Sequence, residues 1–445
     1  MKASDFGSDF RWGVSTAALQ TEGFPDADGR MPSIWDTFAA RRGKIRSGHH
    51  PQTACEFYRR FPEDIALASS LSIPNFRFSL SWPRIIPDGN GRINHKGLDH
   101  YKRLIERLKK HNIEPWITLY HWDLPQALED KGGWTNRDVL GWFSHYAETA
   151  ARELAGFDIP YWMVLNEPLA FTGAGYFLGH HAPGKKGFNN FLPAMLHAAL
   201  ATPAGEQAIR LHQPDAQIGS TYSCSMISPA GPSPAHIRAA EKADALLNRL
   251  FVEAALGMGF PFKELPFLRN VEKWMKADDE KNMISSPDFL GIQNYTREVV
   301  ASCWYVPYLK AKIIKAKNRK VPHTEMNWEI YPDALYEMLR KFSAYRPGLP
   351  LVVTENGAAF PDKIEHNQVS DPERLLYLQE HIRRVRHAQE SGIPVKGYFV
   401  WSLTDNFEWA EGYHPRFGLI YVDYKTQERT IKSSGHWFRD FLNSG

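Results

Sequence analysis

The sequence predicts an α/β fold: a single (β/α)8 TIM barrel whose long βα loops form the pocket at its mouth. Three observations point there. Eight short apolar or aromatic runs recur along the 445 residues. Most of them are followed by a stretch with apolar residues every three or four positions, the mark of an amphipathic helix. Strands that alternate with helices pair in parallel through crossover connections, and eight such units suggest a closed barrel.

The runs, in order, are FRWGVS near 10–15, NFRFSLS at 75–81, EPWITLYH at 114–121, YWMVLNE at 161–167, AQIGSTY at 216–222, DFLGIQNY at 288–295, LVVTEN at 351–356 and VKGYFVWS at 395–402. Near-continuous apolar character suits parallel strands, which are covered on both faces. The clearest helical stretches are 57–71, 96–112, 137–155, 240–256 and 372–391, with Pro and Gly marking the joins. A barrel needs about 250 residues, so the surplus is assigned to long loops. No fixed-period repeat, low-complexity tract or linker interrupts the chain, and residues 1–445 are read as one catalytic domain.

Composition narrows the function classes. Apolar residues make up 43% and charged residues 23%, the balance of a globular protein that is not membrane-embedded. With 53 basic and 50 acidic side chains the net charge is only +3, which gives no electrostatic case for nucleic acid or a membrane surface. Cys55, Cys224 and Cys303 are odd in number and far apart, which argues against a disulfide framework or a zinc knuckle and for a reducing compartment. The opening MKASDFGSDFRWG has no apolar core of a secretory signal, and no run of 18 apolar residues occurs. The expectation is a cytoplasmic enzyme with no metal or cofactor. His49-His50 and His180-His181 lack the spacing of a metal pair.

In a barrel of this kind chemistry sits at the C-terminal ends of the strands. Several runs end there in polar groups: Tyr120-His121, Asn166-Glu167, Gln293-Asn294-Tyr295 and Glu355-Asn356, while the second run carries Arg77. Glu167 and Glu355 follow apolar strands four and seven and are expected to face each other across the mouth. Two opposed carboxyls are the minimal set for cleaving a glycosidic bond, one protonated to release the leaving oxygen, the other ionised to attack the anomeric carbon or activate water. They need environments that separate their pKa values. Arg77 and Tyr295 are expected to hold one of them ionised. The other, without a cation and beside a negative neighbour, is expected to keep its proton. A Glu after a strand is also an ordinary loop residue, and an Arg–Glu pair is also an ordinary structural salt bridge.

The motifs resemble glycoside hydrolase family 1, of the β-glucosidase and β-galactosidase type, over almost the whole chain. They include DFRWGVSTAALQTEG (9–23), FRFSLSWPRIIPDGNGRIN (76–94), PWITLYHWDLPQAL (115–128), NEP (166–168), GYFLGHHAPG (175–184), DFLGIQNYT (288–296), WEIYP (328–332), VTENG (353–357) and WSLTDNFEWAEGY (401–413). The resemblance implies Glu355 as catalytic nucleophile and Glu167 as general acid/base. Asn166 would bind the sugar 2-hydroxyl, and Arg77 and Tyr295 would ionise and position Glu355. It assigns Gln20, His121, Trp122, Glu408 and Trp409 to the non-reducing sugar, Trp401 to the platform under its ring and Trp328 to a wall of the leaving-group site. An acid at 167 implies O-glycosides, and an acid at 408 implies a neutral rather than a phosphorylated sugar. Departures from the family pattern fall beside these groups: Gln293-Asn294 precedes Tyr295 where Asn-Tyr is usual, and Leu165 and Leu19 replace a Thr and an aromatic.

The expected activity is retaining hydrolysis of terminal β-D-glucosyl, with galactosyl or fucosyl, residues of a small-molecule or oligosaccharide substrate. The alternatives are a transglycosidase using the same two Glu and a non-catalytic sugar-binding relative. LKAKIIKAKNRK (309–320) carries six basic residues and reads as a solvated loop, with attraction of an anionic leaving group as the rival reading.

Overall fold

The computed structural model describes residues 1–444. Eight parallel strands form the barrel: β1 Arg11–Ser15, β2 Asn75–Ser79, β3 Glu114–Tyr120, β4 Tyr161–Asn166, β5 Gln217–Pro229, β6 Phe289–Ser302, β7 Leu351–Asn356 and β8 Val395–Trp401. Each pairs in parallel with its sequence neighbours, and β1 closes the ring on β8. All eight expected strands are present. None of the described helices is long and apolar enough to cross a membrane.

The lower barrel is filled by side chains rather than solvent. Trp116, Met163, Phe289, Val352 and Phe399 form a buried cluster contributed by five different strands. β1 supplies Gly13 to this layer because nothing larger fits: a Cβ there would lie 2.4 Å from Phe399. Asn75 is the polar exception, accepting from the Trp116 indole (3.0 Å) and donating to the Trp12 carbonyl (2.7 Å), so its amide is satisfied on both sides.

Two strands run further than expected. β5 and β6 continue past the barrel rim and stay paired from Met226↔Arg297 to Pro229↔Val300. A short antiparallel strand, Ala311–Ile313, then folds back on β6 and makes the projection three-stranded. Tyr295, expected at the end of the sixth strand, therefore lies in mid-strand. The extension escapes a search for apolar runs because its segments, SCSMISP and TREVVAS, mix several polar residues with apolar ones, as half-solvated ladders do. The helix Phe188–His212 was also not anticipated. It is buried on most sides, so it lacks an amphipathic period, and Pro193 and Pro203 within it read as breaks.

Pairing irregularities cluster at the upper ends of the strands. The register shifts between Met163 and Asn166 in β4, between Ile292 and Gln293 in β6, and between Val353 and Asn356 in β7. An extra residue on one strand re-aims the side chains beyond it, and in β4 and β7 these shifts come just before Glu167 and at Glu355.

Candidate active site

Above the apolar layer the barrel interior turns polar, and the polar groups form one connected chain. Arg77, on β2, is fully buried. Its Nε donates to Thr118 Oγ1 on β3 (3.1 Å), one Nη to Glu355 Oε1 on β7 (2.5 Å), and the other Nη to Asn166 Oδ1 on β4 (2.6 Å). Tyr295 on β6 donates to the second oxygen, Glu355 Oε2 (2.8 Å). Both carboxylate oxygens of Glu355 are thus held by donors, which fixes its position and favours its anion.

Asn166 Oδ1 also accepts from Thr221 Oγ1 (2.8 Å) and Gln293 Nε2 (2.9 Å). Three donors converging on one oxygen fix the amide's orientation, so Nδ2 faces His121 Nε2 at 3.0 Å as the donor. Burial first, and then the Arg77 charge, drive the His121 imidazole well below its ordinary pKa, so it is neutral. Its proton must then sit on Nδ1, a buried atom with no partner in the protein. Gln293, where the sequence departs from the family pattern, thus props Asn166 and leaves its own Oε1 without a partner.

Glu167 presents the opposite picture. It follows β4 with φ of 46°, a left-handed conformation that costs energy for a residue with a side chain, and its backbone N–H is tied to the Thr221 carbonyl (2.9 Å). Among the described residues its carboxyl makes no hydrogen bond or ion pair. Burial raises its pKa well above the ordinary carboxylate range, the Glu355 charge raises it further, and the Arg77 charge opposes both. The expectation of no cation near this acid thus needs one correction: Arg77 acts on it too, but more weakly than burial and Glu355. Burial also raises Glu355, but there the Arg77 charge and hydrogen bonds from Arg77, Tyr295 and Gln293 pull against it. Of the two acids, Glu355 ionises first and Glu167 keeps the proton.

The two carboxyls share a cavity of about 440 Å³ with every other residue expected there from the sequence except the buried Arg77: Gln20, His121, Trp122, Asn166, Tyr295, Trp328, Trp401, Glu408 and Trp409. Gln20 Nε2 donates toward Asn406 Oδ1 (3.2 Å), the Phe407 carbonyl (3.0 Å) and Glu408 Oε2 (3.3 Å), while its Oε1 is buried and unpartnered. Burial, with the Glu355 charge behind it, pushes Glu408 up to about 8, so near neutral pH it both donates and accepts. The Trp122 indole donates to the Asn166 carbonyl (2.8 Å) and its ring lies 4.4 Å from Trp409. His121 is near-parallel to Trp401 and to Trp409 at 6.1 and 5.8 Å. On the other side Trp328 packs against Tyr295 (5.2 Å) and Phe417 (6.1 Å).

Among the lining residues that escaped the sequence reading are His181, Phe417 and Glu298. His181 lies in the GYFLGHHAPG motif. It packs against Trp35 and Trp122, and burial drops its pKa to about 4, so it is a neutral wall. Of the other histidines considered for a metal, His49 accepts from the Tyr413 N–H (2.9 Å) and stacks on His414. Among the described residues no group of three or more His, Cys, Asp or Glu is arranged to hold a metal ion.

A barrel whose mouth opposes a clamped carboxylate and a free, desolvated acid over unpartnered polar atoms and Trp faces defines a glycoside hydrolase. The chain belongs to glycosyl hydrolase family 1, whose family model matches residues 2–445. It is 40% identical over 450 residues to β-glucosidase A of Acetivibrio thermocellus, covering 100% of this chain and 99% of that one. A bifunctional β-D-glucosidase/β-D-fucosidase of Bifidobacterium breve is 37% identical, with 98% of each chain covered. The solved β-glucosidase of Thermotoga maritima in complex with deoxynojirimycin superposes with a TM-score of 0.95 at 38% identity, covering 99% of this chain and 98% of that one.

Proposed function

We propose that the protein is a retaining β-glucosidase that removes terminal non-reducing β-D-glucosyl residues, and galactosyl or fucosyl residues with them, with Glu355 as nucleophile and Glu167 as acid/base. The observation that carries the assignment is the asymmetry of the two acids. Glu355 is clamped by Arg77 and Tyr295, and Glu167 is half-buried, its carboxyl desolvated and without a donor. In the first step Glu355 attacks the anomeric carbon as Glu167 gives its proton to the leaving oxygen, and a glycosyl–Glu355 ester forms. In the second, the now ionised Glu167 takes a proton from water, which displaces Glu355 and releases the sugar with its β configuration. The carboxyls are expected about 5–5.5 Å apart, the separation of retaining enzymes.

Asn166 is oriented to bind the 2-hydroxyl with its remaining N–H, a contact that strengthens as the transition state forms. The unpartnered Gln20 Oε1 and His121 Nδ1–H, with Glu408, are matched to the outer hydroxyls. Trp122 and Trp409 wall them in, and Trp401 supplies the surface under the ring. Trp328 is the wall for the leaving group. A neutral sugar is supported by the lining, which carries five glutamates and, among the described residues, no Lys or Arg. A phosphorylated sugar would find no cation there. The reading takes residues 1–445 as one catalytic domain, supported by a family match that spans barrel strands and loops alike. It places the enzyme in a reducing, cytoplasmic compartment, supported by three buried free cysteines.

The test is stereochemical. Hydrolysis of 4-nitrophenyl β-D-glucoside followed by proton NMR should show the β anomer of glucose first, with the α anomer appearing only through mutarotation. Prompt appearance of the α anomer would assign Glu355 the role of a base acting through water and overturn double displacement.

A further inference from the structure

Beyond the catalytic pair the cavity opens between the projecting β5–β6 ladder and Trp328, and this half has two unlike walls. One is apolar, Met326 and Trp328, while the apolar Leu247 and Ile313 belong to the ladder side, next to the Asn248–Ser225 pair and on the strand paired with β6. The other, from β5 and β6, presents Ser223, Ser225 and Glu298. Cys224, between the two serines, lines the same cavity as Glu167, and its thiol is pushed up by burial and then by the Glu167 charge, so this wall shares the cavity with the acid that protonates the leaving oxygen. Among the described residues the hydroxyls of Ser223 and Ser225 make no hydrogen bond.

Glu298 is the unusual member. It is half-buried and faces the cavity, yet among the described residues its carboxyl has neither a hydrogen bond nor an ion pair. Its neighbours are already committed. Arg297 binds Glu329 bidentately (2.5 and 2.9 Å), Arg319 binds Glu329 at 2.7 Å and the Ile314 carbonyl at 3.1 Å, and Thr296 donates to the Glu329 carbonyl at 3.1 Å. Burial raises the Glu298 carboxyl to about 7 against the pull of Arg319, so near neutral pH it can accept or donate. A desolvated carboxyl left unpaired is costly unless a ligand completes it.

We propose that Glu298 is a specificity-determining residue that selects leaving groups carrying a hydroxylated ring, above all a second sugar, over bare aromatic ones. The inference rests on the β-glucosidase reading and assigns the chemistry of its leaving-group side. A sugar ring has an apolar face for Trp328 and Met326 and equatorial hydroxyls at its edge, which matches one apolar wall and one wall of open acceptors.

The experiment compares kcat/KM for cellobiose and for 4-nitrophenyl β-D-glucoside in wild type, Glu298→Ala and Glu298→Gln. The alanine variant should lose roughly tenfold on cellobiose, the cost of one hydrogen bond to a charged partner, and stay within about twofold on the nitrophenyl substrate. Glutamine, which keeps the reach, donor and acceptor, should recover most of the cellobiose rate. Should the alanine variant yield no folded protein, Glu298→Leu carries the same comparison. Equal losses on both substrates, or no loss on cellobiose, would overturn the proposal. Turnover of the nitrophenyl glucoside by wild type tests the glucosidase reading separately, because that leaving group does not need Glu298.

Discussion

The sugar-binding half of the cavity and its leaving-group half meet at Glu167 and Glu355, yet they are held by different means. The sugar side is locked before any ligand arrives. Gln20 is pinned by three acceptors, and Asn166 sits at the junction of four side chains. Beneath the loop that carries Asn406 and Glu408 runs a buried ion network. Asp405 binds Arg416 and Lys432 (both 2.6 Å), Lys432 also binds Asp362 (2.5 Å), and Arg374 bridges Asp362 and Asp371 (2.8 and 2.5 Å). Burial would raise Asp405, but the Lys432 and Arg416 charges outweigh it and hold the group below its ordinary pKa. The leaving-group side is a ladder projecting from the rim, with open hydroxyls, an unpaired carboxyl and a tip where Trp304 is 87% exposed. A site that must recognise one fixed ring gains from preorganisation. One that must pass varied leaving groups gains from polar atoms that water can fill in turn.

The largest test of this contrast removes the group on which the locked half converges. Glu355→Ala should lower turnover of any β-glucoside by about 10⁴-fold or more, because no other group can form the covalent intermediate. The change leaves Arg77 and Tyr295 aimed at an empty space of anion-binding character. Added azide should enter it, restore turnover of an activated aryl glucoside and give the α-glycosyl azide, identified by NMR. Full activity without azide would remove Glu355 from the mechanism.

Next in size is a change whose effect depends on the other half. Glu167→Gln keeps the shape and removes the proton. Cellobiose, a poor leaving group, should lose about 10²–10⁴-fold in kcat/KM, the usual range for general acid catalysis, whereas a 2,4-dinitrophenyl glucoside should lose far less in the glycosylation step. The pH profile gives the sign. Activity should rise with pH as Glu355 loses its proton and fall again as Glu167 loses its own, each limb reporting the pair rather than one residue. The variant should therefore lose the descending limb. An equal loss on both substrates with that limb intact would mean that Glu167 is not the acid.

These contrasts also explain what the sequence shows and what it hides. All eight barrel strands are legible because buried parallel strands are apolar throughout, and Glu167, Glu355 and Arg77 stand out as charges on such strands. Residues whose role depends on a neighbour's geometry do not stand out. Gln293 reads as a departure from pattern until its amide is seen propping Asn166. His181 and Phe417 look like loop residues until folding brings them against Trp122 and Trp328. Glu298 lies on an extension whose mixed polarity resembles any solvated strand, and nothing in TREVV marks which of its charges stays unpaired.

Stability should divide along the same line. Asp405→Ala leaves Lys432 and Arg416 short of a buried partner, a change that typically costs about 3–5 kcal/mol. Trp304→Ala, at the exposed tip, should stay within about 0.5 kcal/mol of wild type. Denaturant titrations of the two variants measure the difference, and comparable losses would mean that the projection is as integral to the fold as the ion network.

The smallest expected effect concerns the basic return segment. Five of its six cations, Lys310, Lys312, Lys315, Lys317 and Lys320, are exposed, and the sixth, Arg319, is spent on Glu329. None of the six lines the cavity. Exposed charges that make no contact with a ligand act on it through water, where salt at 0.1 M screens them over about 10 Å. A carboxylated aryl glucoside and its neutral counterpart should therefore show kcat/KM values whose salt dependence differs by less than about twofold between 0.05 and 0.5 M salt. A steep fall for the carboxylated substrate alone would show that the segment steers anions to the mouth. The leaving-group half would then read charge through the loop as well as hydroxyls through Glu298.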